Sequence, residues 1–130
     1  MPKVDYKKSN FDLDLKFGEM GEDYILRVFE SGNKVEVKTE RDIWKKTGNI
    51  AIEIRFKGRK SGLSITDAET WCHILTYNGK VVGTIVVPVE FLKKRVKKLI
   101  KDKKAKIKFA GNNEESQVVL LPIKYIWEDI

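Results

Sequence analysis

The sequence has few of the residues on which common active sites depend. It holds one cysteine, one histidine and three prolines among 130 residues. A lone Cys72 cannot close an internal disulfide or frame a cysteine zinc site. No apolar run approaches the ~18 residues that cross a membrane, and the opening segment "MPKVDYKKSN" lacks the apolar stretch of a secretory signal. We therefore expect a soluble, intracellular, cytoplasmic protein without a membrane partner.

Two further motif classes are missing. The single histidine, His73, has no serine or cysteine nucleophile signature around it, so we expect it at the edge of the core and not in catalysis. Gly18, Gly21, Gly58 and Gly62 form neither a phosphate-binding loop nor a dinucleotide fingerprint. Triad chemistry and nucleotide-cofactor chemistry are therefore not predicted.

Positive charge is abundant and concentrated in one stretch. The formal net charge is +7, and "KKRVKKLIKDKKAKIK" from Lys93 to Lys108 contains ten basic residues and one acid. Helical spacing predicts a helix that starts near Pro88, with an apolar stripe formed by Phe91, Leu92, Val96, Leu99 and Ile100. Such a block binds polyanions because each neutralised phosphate releases counterions, although a solvated helix face is the simpler alternative. The exposed lysines expected to contact DNA are Lys94, Lys97, Lys98 and Lys101.

The first half of the chain predicts a helix followed by two strands, within a single domain over residues 1–130. Apolar residues at helical spacing predict a helix from roughly Phe17 to Phe29. Alternation with period two predicts strands over "KVEVKTE" (34–40) and "NIAIEIRF" (49–56), with a turn at 47–49 between them. We expect these strands to form an antiparallel pair.

The second half predicts further helices and strands. Thr66 and Glu69 have the spacing of a capping box, which predicts a helix through Trp71 to about Tyr77 that Asn78 and Gly79 end. The nearly continuous apolar segment "KVVGTIVVP" predicts a central strand buried on both faces. "AKIKFAG" and "QVVLLPIKYIW" predict a final strand pair or an extended terminal segment.

The charged faces of the two early strands carry the candidate chemistry. A symmetric connection would set Glu36 opposite Glu53, Lys38 opposite Ala51 and Lys34 opposite Arg55. Directly opposed like charges destabilise a sheet, but Glu36 and Glu53 together could hold Mg²⁺ or Mn²⁺. A shift of two residues would instead place Glu36 against Ala51 or Arg55, and periodicity does not choose between these registers.

The preceding helix offers a third carboxylate. Glu22 lies nearer the apolar face of that helix than Glu19, so Glu22 is the one expected to be partly buried beside the sheet. Lys38, on the same strand face as Glu36, could orient a water or offset charge on phosphorus. A metal ion held by these carboxylates would lower the pKa of its bound water and produce a nucleophile.

These residues resemble the PD-(D/E)xK nuclease superfamily. The resemblance lies in a helix carrying Glu22, then Glu36-Val37-Lys38, then Glu53, and "GEDYILRVF" with "VEVKTE" is especially similar to Holliday-junction-resolvase-like and phage-encoded members. "TGNIAIE" and "SGLSITDAETW" extend it over roughly residues 17–71. It implies an α/β fold with a restriction-endonuclease-like core, in which helices flank a mixed central β-sheet. It also implies one or two magnesium ions and hydrolysis of a DNA phosphodiester.

The sequence departs from the family pattern at one position. Only "ESGN" separates the first helix from "KVEVK", which leaves no room for the strand that usually carries an aspartate. In one assignment Glu36 and Lys38 are the ExK residues and Glu53 replaces the aspartate. In the other, Glu36 takes the aspartate's role, while Glu53 and Arg55 occupy the ExK positions and Lys38 supplies the amine. Both assignments use Glu36, Lys38 and Glu53.

The sequence therefore predicts a magnesium-dependent deoxyribonuclease that is selective for junctions, branched DNA or single strands. Arg59, Lys60 and Ser61 in "KGRKSG" would help to position the DNA. A homodimer is expected for a two-fold symmetric substrate. The alternatives are a non-catalytic nucleic-acid-binding module that uses the basic helix, and a basic protein that binds another acidic surface.

Overall fold

The computed structural model describes residues 10–130. The chain divides into two units, of which the first ends at Asn33 and the second runs from Lys34 to Ile130. The described part of the first unit contains helix α1 (Asn10–Val28), so the predicted helix is confirmed but begins earlier than expected. The Asn33 side-chain amide donates to the Arg27 carbonyl and satisfies one of the last carbonyls of α1.

The second unit contains two helices and seven strands among the described residues. The helices are α2 (Ile43–Thr47) and α3 (Val89–Lys101). The strands are β1 (Val35–Glu40), β2 (Asn49–Phe56), β3 (Arg59–Lys60), β4 (Thr70–Tyr77), β5 (Lys80–Pro88), β6 (Lys106–Ala110) and β7 (Ser116–Pro122). Within residues 10–130, no helix is long and apolar enough to cross a membrane.

The strands form two sheets. One has three strands in the order β1-β4-β5, and it is mixed because β1 is parallel to β4 while β5 is antiparallel. The other has four antiparallel strands in the order β3-β2-β7-β6. The prediction of a mixed α/β fold that contains a mixed sheet is confirmed, and the final strand pair is confirmed as β6 and β7.

The predicted antiparallel pairing of β1 with β2 is wrong. Glu36 lies beside Trp71 of β4, and Glu53 lies beside Val118 of β7, so Glu36 and Glu53 are not cross-strand partners. The connection between β1 and β2, residues 41–48, contains the short helix α2 and is longer than the two- to five-residue loops that are common in hairpins. This segment carries the chain from one sheet to the other.

The other cross-strand pairs expected from that register are wrong for the same reason. Lys38 lies beside His73 rather than Ala51. Arg55 pairs with Lys60 and, beyond a bulge, with Gln117. Its guanidinium donates to the Gly58 carbonyl at 3.2 Å, which steadies the β2–β3 hairpin.

The helix predicted through Trp71 to Tyr77 is also wrong, because this segment is strand β4. Its β-branched and aromatic residues favour a strand, and the side chains alternate between two faces. Thr66 does not cap a helix; its hydroxyl accepts from the Ala68 N–H at 3.2 Å in a local turn. Asn78 and Gly79 both have positive φ, of 50° and 73°, and form the tight turn of the β4–β5 hairpin.

Strand β5 is an edge strand, so its predicted central position is wrong. Strand β4 occupies the centre of the three-stranded sheet instead. The side chains of Val81 and Val82 near the start of β5 are exposed. Ile85 and Val87 further along are buried, so the apolar run reflects burial of one face of its second half.

Helix α3 supplies the apolar stripe that the sequence predicts. Leu92, Val96 and Leu99 are buried, and Phe91 and Ile100 pack against the same core. The core residues that accompany them come from β2, β4, β5 and β7, and they include Ile50, Ile52, Trp71, Ile85, Val87, Val119 and Leu121.

One basic residue of the segment from Lys93 to Lys108 stabilises the fold and does not face the solvent. Arg95 on α3 is buried, and its guanidinium donates to the carbonyls of Tyr125, Ile126 and Glu128 at 2.7 to 2.8 Å. These charge-assisted hydrogen bonds fasten the C-terminal segment to α3. Arg95 is therefore not part of the surface that the other basic residues of the block could offer to an anion.

Candidate active site and nucleic-acid interface

The charged face of β1 is turned towards the interior of the second unit. Cross-strand partners share a face, so Glu36 and Lys38 lie on the side that carries Trp71 and His73, which are both 1% exposed. The side chains of Glu36 and Lys38 are 33% and 41% exposed. Val37, on the opposite face, is 52% exposed. The predicted alternation of β1 is confirmed, but its charged side is the more sheltered one.

Glu36 and Lys38 are neighbours on this face. Lys38 Nζ lies 4.0 Å from Glu36 Oε2, which is the outer limit of an ion pair. The pair is loose enough for the carboxylate to accept a cation and for the ammonium to reach an anion. A carboxylate and an amine at this spacing are the groups that a phosphoryl-transfer site needs for a metal ion and for charge on phosphorus.

Glu40, two positions further along the same face, links three strands. Its Oε1 accepts from the Ala51 N–H of β2 at 2.6 Å and lies 2.9 Å from His73 Nε2 of β4. The Glu40 side chain is only 13% exposed. The end of β1 is thereby fixed to β4 and to β2, which belong to different sheets.

The hydrogen bonds around His73 determine its tautomer. Trp71 Nε1 donates to His73 Nδ1 at 3.1 Å, and the two rings are nearly parallel, with an interplanar angle of 14°. An indole N–H can only donate, so Nδ1 carries no proton and the proton of the neutral imidazole is on Nε2. His73 therefore donates to Glu40. The expectation that His73 has a structural place in the core agrees with this arrangement.

The α2 connection reinforces the same end of the sheet. Trp44 Nε1 donates to the Thr76 carbonyl at 2.7 Å, and the Thr76 hydroxyl donates to the Glu40 carbonyl at 2.7 Å. Asp42 accepts from the Asn78 N–H at 3.0 Å. Sequence reasoning missed Glu40, and the available signal was its place on the same period-two face as Glu36 and Lys38.

An ion pair holds the start of β1. Lys34 Nζ donates to Asp67, and the Lys34 carbonyl accepts from the Glu69 N–H at 3.1 Å. The hydrogen bond from Lys34 and its positive charge lower the pKa of the exposed Asp67 carboxyl. On β4, burial raises the pKa of the Cys72 thiol, so this cysteine is a poor nucleophile.

Glu53 lies on β2 with a partly buried side chain. Ser116 Oγ donates to Glu53 Oε1 at 3.1 Å. The backbone of Gly62 passes so close that an added Cβ would lie 2.2 Å from the Glu53 carbonyl oxygen, so only glycine fits there. Glu53 is well fixed, but strand pairing does not bring it opposite Glu36.

Glu22 and Glu19 lie on α1 in the first unit, and both side chains are exposed. The difference in burial that favoured Glu22 over Glu19 is therefore not observed. The assignment of Glu22 to a metal site stays a prediction.

The donor set for a hard cation is small. In the part of the chain from residue 10 onwards, no group of three or more histidine, cysteine, aspartate or glutamate side chains is gathered as for a metal ion. Mg²⁺ is often held by one or two carboxylates, with waters and substrate phosphates in its other positions. The accessible carboxylate of Glu36 fits that partial set, as one ligand of an ion shared with substrate.

The predicted basic DNA-binding residues divide into three groups. Lys60 on β3 and Lys97 on α3 line one common cavity, together with Lys93. Lys94 and Lys98 form ion pairs along α3, with Glu90 at 3.3 Å and with Asp102 at 3.2 Å. Arg59 and Lys101 are exposed.

Ser61 differs from its basic neighbours. Its Oγ is buried, and among the described residues it has no hydrogen-bond partner. The hydroxyl is therefore not presented at the surface in this structure. The predicted phosphate contact of Ser61 stays a prediction.

Comparisons with protein-family models, with curated proteins and with solved structures find no match for this chain.

Proposed function

We propose that the protein is a metal-dependent endonuclease that hydrolyses DNA phosphodiester bonds on a restriction-endonuclease-like core. The observation that carries the proposal is the placement of Glu36 and Lys38, 4.0 Å apart, on the sheltered face of β1. Both side chains keep a third or more of their surface exposed, so a cation can reach the carboxylate and a phosphate can reach the amine. The arrangement supplies a metal-ligating carboxylate and an amine in one place.

The roles of the side chains follow from their chemistry. Glu36 would hold Mg²⁺ or Mn²⁺, and that ion would supply an acidified water and offset negative charge. Lys38 would donate to a phosphate oxygen and stabilise the negative charge that develops there. Glu53 is the further carboxylate proposed for the reaction.

Glu40 and His73 would act as positioning residues. They contact neither metal nor DNA in this proposal, but they fix the end of β1 on which Glu36 and Lys38 stand. Catalytic groups need to be held within about 0.5 Å of their working geometry by such supporting hydrogen bonds.

Branched or single-stranded DNA is the proposed substrate, and a homodimer is the proposed working form on two-fold symmetric junctions. The basic surface of α3 and the β2–β3 hairpin supports DNA binding, since Lys60 and Lys97 come together at one cavity. The protein is proposed to act inside the cell, where Mg²⁺ and DNA meet.

The proposal is tested by incubation with labelled junction, single-stranded and duplex DNA, with Mg²⁺ or with EDTA. The wild type should cleave at least one branched or single-stranded substrate in Mg²⁺ and none in EDTA. Glu36→Gln should abolish cleavage. Glu114→Gln, which changes an exposed glutamate between β6 and β7, is the matched control and should cleave like the wild type.

The second candidate function is a nucleic-acid-binding module without catalysis. The cavity that joins Lys60, Lys93 and Lys97 favours it independently of β1. Tight DNA binding with no cleavage in Mg²⁺ or Mn²⁺ would select this candidate. A binding constant that falls steeply with salt would separate it from a module that recognises an acidic protein by shape.

A further inference from the structure

A cavity of about 360 Å³ lies between helix α3 and the β2–β3 hairpin. Its rim, the more exposed part of the lining, is formed by Lys60, Lys93 and Lys97, together with Ser64. Its floor is formed by Ile54, Leu63, Val96, Ile100 and Val119. All of these residues belong to the second unit.

The positive charge of the rim favours an anionic ligand. Three lysines line the cavity, and its lining, within the described chain, includes no aspartate or glutamate. Lys60 and Lys97 are exposed and Lys93 is half-buried, so their amines can move to meet an anion at the mouth. Among the described residues, none of the three takes part in an ion pair within the protein, in contrast to Lys94 and Lys98.

The floor favours a ligand that also has an apolar surface. It is aliphatic, and Leu63 and Val119 in it are almost fully buried, so it offers an apolar surface at the bottom of a charged mouth. The volume lies at the lower end of the range for small-molecule pockets, which suits one flat group and not a chain of several. A nucleotide matches both parts of the cavity, because its phosphate can lie between the lysines and the face of its flat base can lie on the aliphatic floor.

We propose that this cavity binds a single unpaired nucleotide of a DNA strand, with its phosphate between the lysines and its base against Ile54 and Ile100. Bases in a duplex are stacked and paired, so a base can enter only from a single strand or after extrusion at a branch. The inference rests on the proposed action on DNA and names what the protein recognises: an unpaired base, not the duplex surface.

The test measures binding in EDTA, where cleavage cannot occur. Fluorescence anisotropy compares a labelled thymidine 12-mer with the same oligomer in which abasic spacers replace the central bases, and with a duplex of equal length. The wild type should bind the intact single strand about three- to tenfold more tightly than the abasic strand, because the abasic strand has no base to bury against the aliphatic floor. It should bind the duplex more weakly than the intact single strand, and tighter binding of the duplex would contradict recognition of an unpaired base.

Variants localise the effect. Lys97→Ala and Lys60→Ala should weaken binding to the intact and abasic strands alike, and each should reduce the salt slope by about 0.7. Ile100→Ser should remove the preference for the intact strand, with its fold checked by circular dichroism. Lys80→Ala, an exposed lysine on β5 that does not line the cavity, is the charge control and should bind like the wild type.

Equal affinity for intact and abasic strands in the wild type overturns the proposal, and this comparison requires no variant. A base preference that survives in a folded Ile100→Ser variant also overturns it. The catalytic proposal is tested separately, because Glu36→Gln should keep the base preference. Cleavage without base preference removes the cavity proposal alone, and base preference without cleavage removes the catalytic proposal alone.

Discussion

His73 Nε2 donates to Glu40 Oε1 at 2.9 Å, although 33 positions of sequence separate the two residues. The same carboxylate oxygen accepts the Ala51 N–H at 2.6 Å. One side chain thus joins the end of β1 to the centre of its own sheet and to a strand of the other sheet. Because the proposed catalytic pair stands on β1, the stability of the fold and the geometry of the site depend on this carboxylate.

Removal of this carboxylate should destabilise the protein strongly. Glu40→Ala leaves the Ala51 N–H and the His73 Nε2–H without an acceptor, so we expect a loss of about 2–4 kcal/mol in the free energy of unfolding. Glu40→Gln keeps an acceptor oxygen and should lose about 1 kcal/mol. Urea denaturation followed by circular dichroism measures both. Equal stability of Glu40→Ala and the wild type would show that the buried hydrogen bonds contribute nothing.

Arg95 should behave differently from the lysines around it. Arg95→Met leaves the carbonyls of Tyr125, Ile126 and Glu128 without their donor, and we expect a loss of about 2–4 kcal/mol. Lys94→Met, at the exposed neighbouring position, should change stability by less than about 0.5 kcal/mol. Amide hydrogen exchange should also become faster in residues 125–128 of Arg95→Met. Similar stability of the two variants would contradict the structural role of Arg95.

Ser61→Ala tests whether the buried hydroxyl of Ser61 contributes to stability or to DNA binding. Its Oγ is buried and has no hydrogen-bond partner among the described residues. Removal of the hydroxyl, which leaves the methyl side chain of alanine, should therefore leave the free energy of unfolding unchanged or raise it by up to about 1 kcal/mol. DNA affinity in EDTA should stay within about twofold of the wild type, since loss of a neutral hydroxyl changes no phosphate charge contact. A larger fall in affinity, with the fold intact, would mean that Ser61 turns outwards to bind phosphate.

The pKa of the Asp67 carboxyl should lie below its ordinary value. The hydrogen bond and positive charge of Lys34 lower its pKa, so the stabilisation by this pair is present above the pKa of the unfolded chain. That stabilisation is lost as the pH falls through the lowered pKa of the folded protein. NMR titration of the Asp67 carboxyl measures this directly, and Lys34→Met should return the pKa towards its ordinary value. An unchanged pKa in Lys34→Met would exclude the ion pair in solution.

The local structure around the candidate site could largely be predicted from sequence. Alternation identified both strands, and β2 has the predicted bounds of Asn49–Phe56. The apolar stripe of α3 could also be predicted, because its apolar residues recur at helical spacing and form one continuous face. Such patterns depend only on which face of one element is buried, and the residues of that element encode it.

Pairing between elements could not be predicted in the same way. Thr66 and Glu69 have the spacing of a capping box, which predicts a helix where the structure has strand β4. When β4 is not recognised as a strand, β2 is the next strand in the sequence that could pair with β1. The Asn78-Gly79 pair carried the correcting signal, because Asn-Gly is a strong hairpin turn and requires strands on both sides.

Local sequence patterns also could not predict the low exposure of the Glu40 side chain or the burial of Arg95. Each is a charged residue in a charged segment, and the hydrogen-bond partners of the two side chains lie 11 to 33 positions away in sequence. Local composition favours the exposed alternative for such residues. Only the tertiary contacts show that these two side chains hold the fold together while Lys38 and Lys97 remain accessible.

The most direct measurement of the central claim compares cleavage and binding in Glu36→Gln. The single-turnover cleavage rate in Mg²⁺ should fall by about 100-fold or more, because the variant loses a ligand of the ion that activates water. DNA affinity in EDTA should stay within about twofold of the wild type, since Glu36 then has no ion to share with phosphate. Equal cleavage by a folded Glu36→Gln variant would contradict the assignment of the active site to β1.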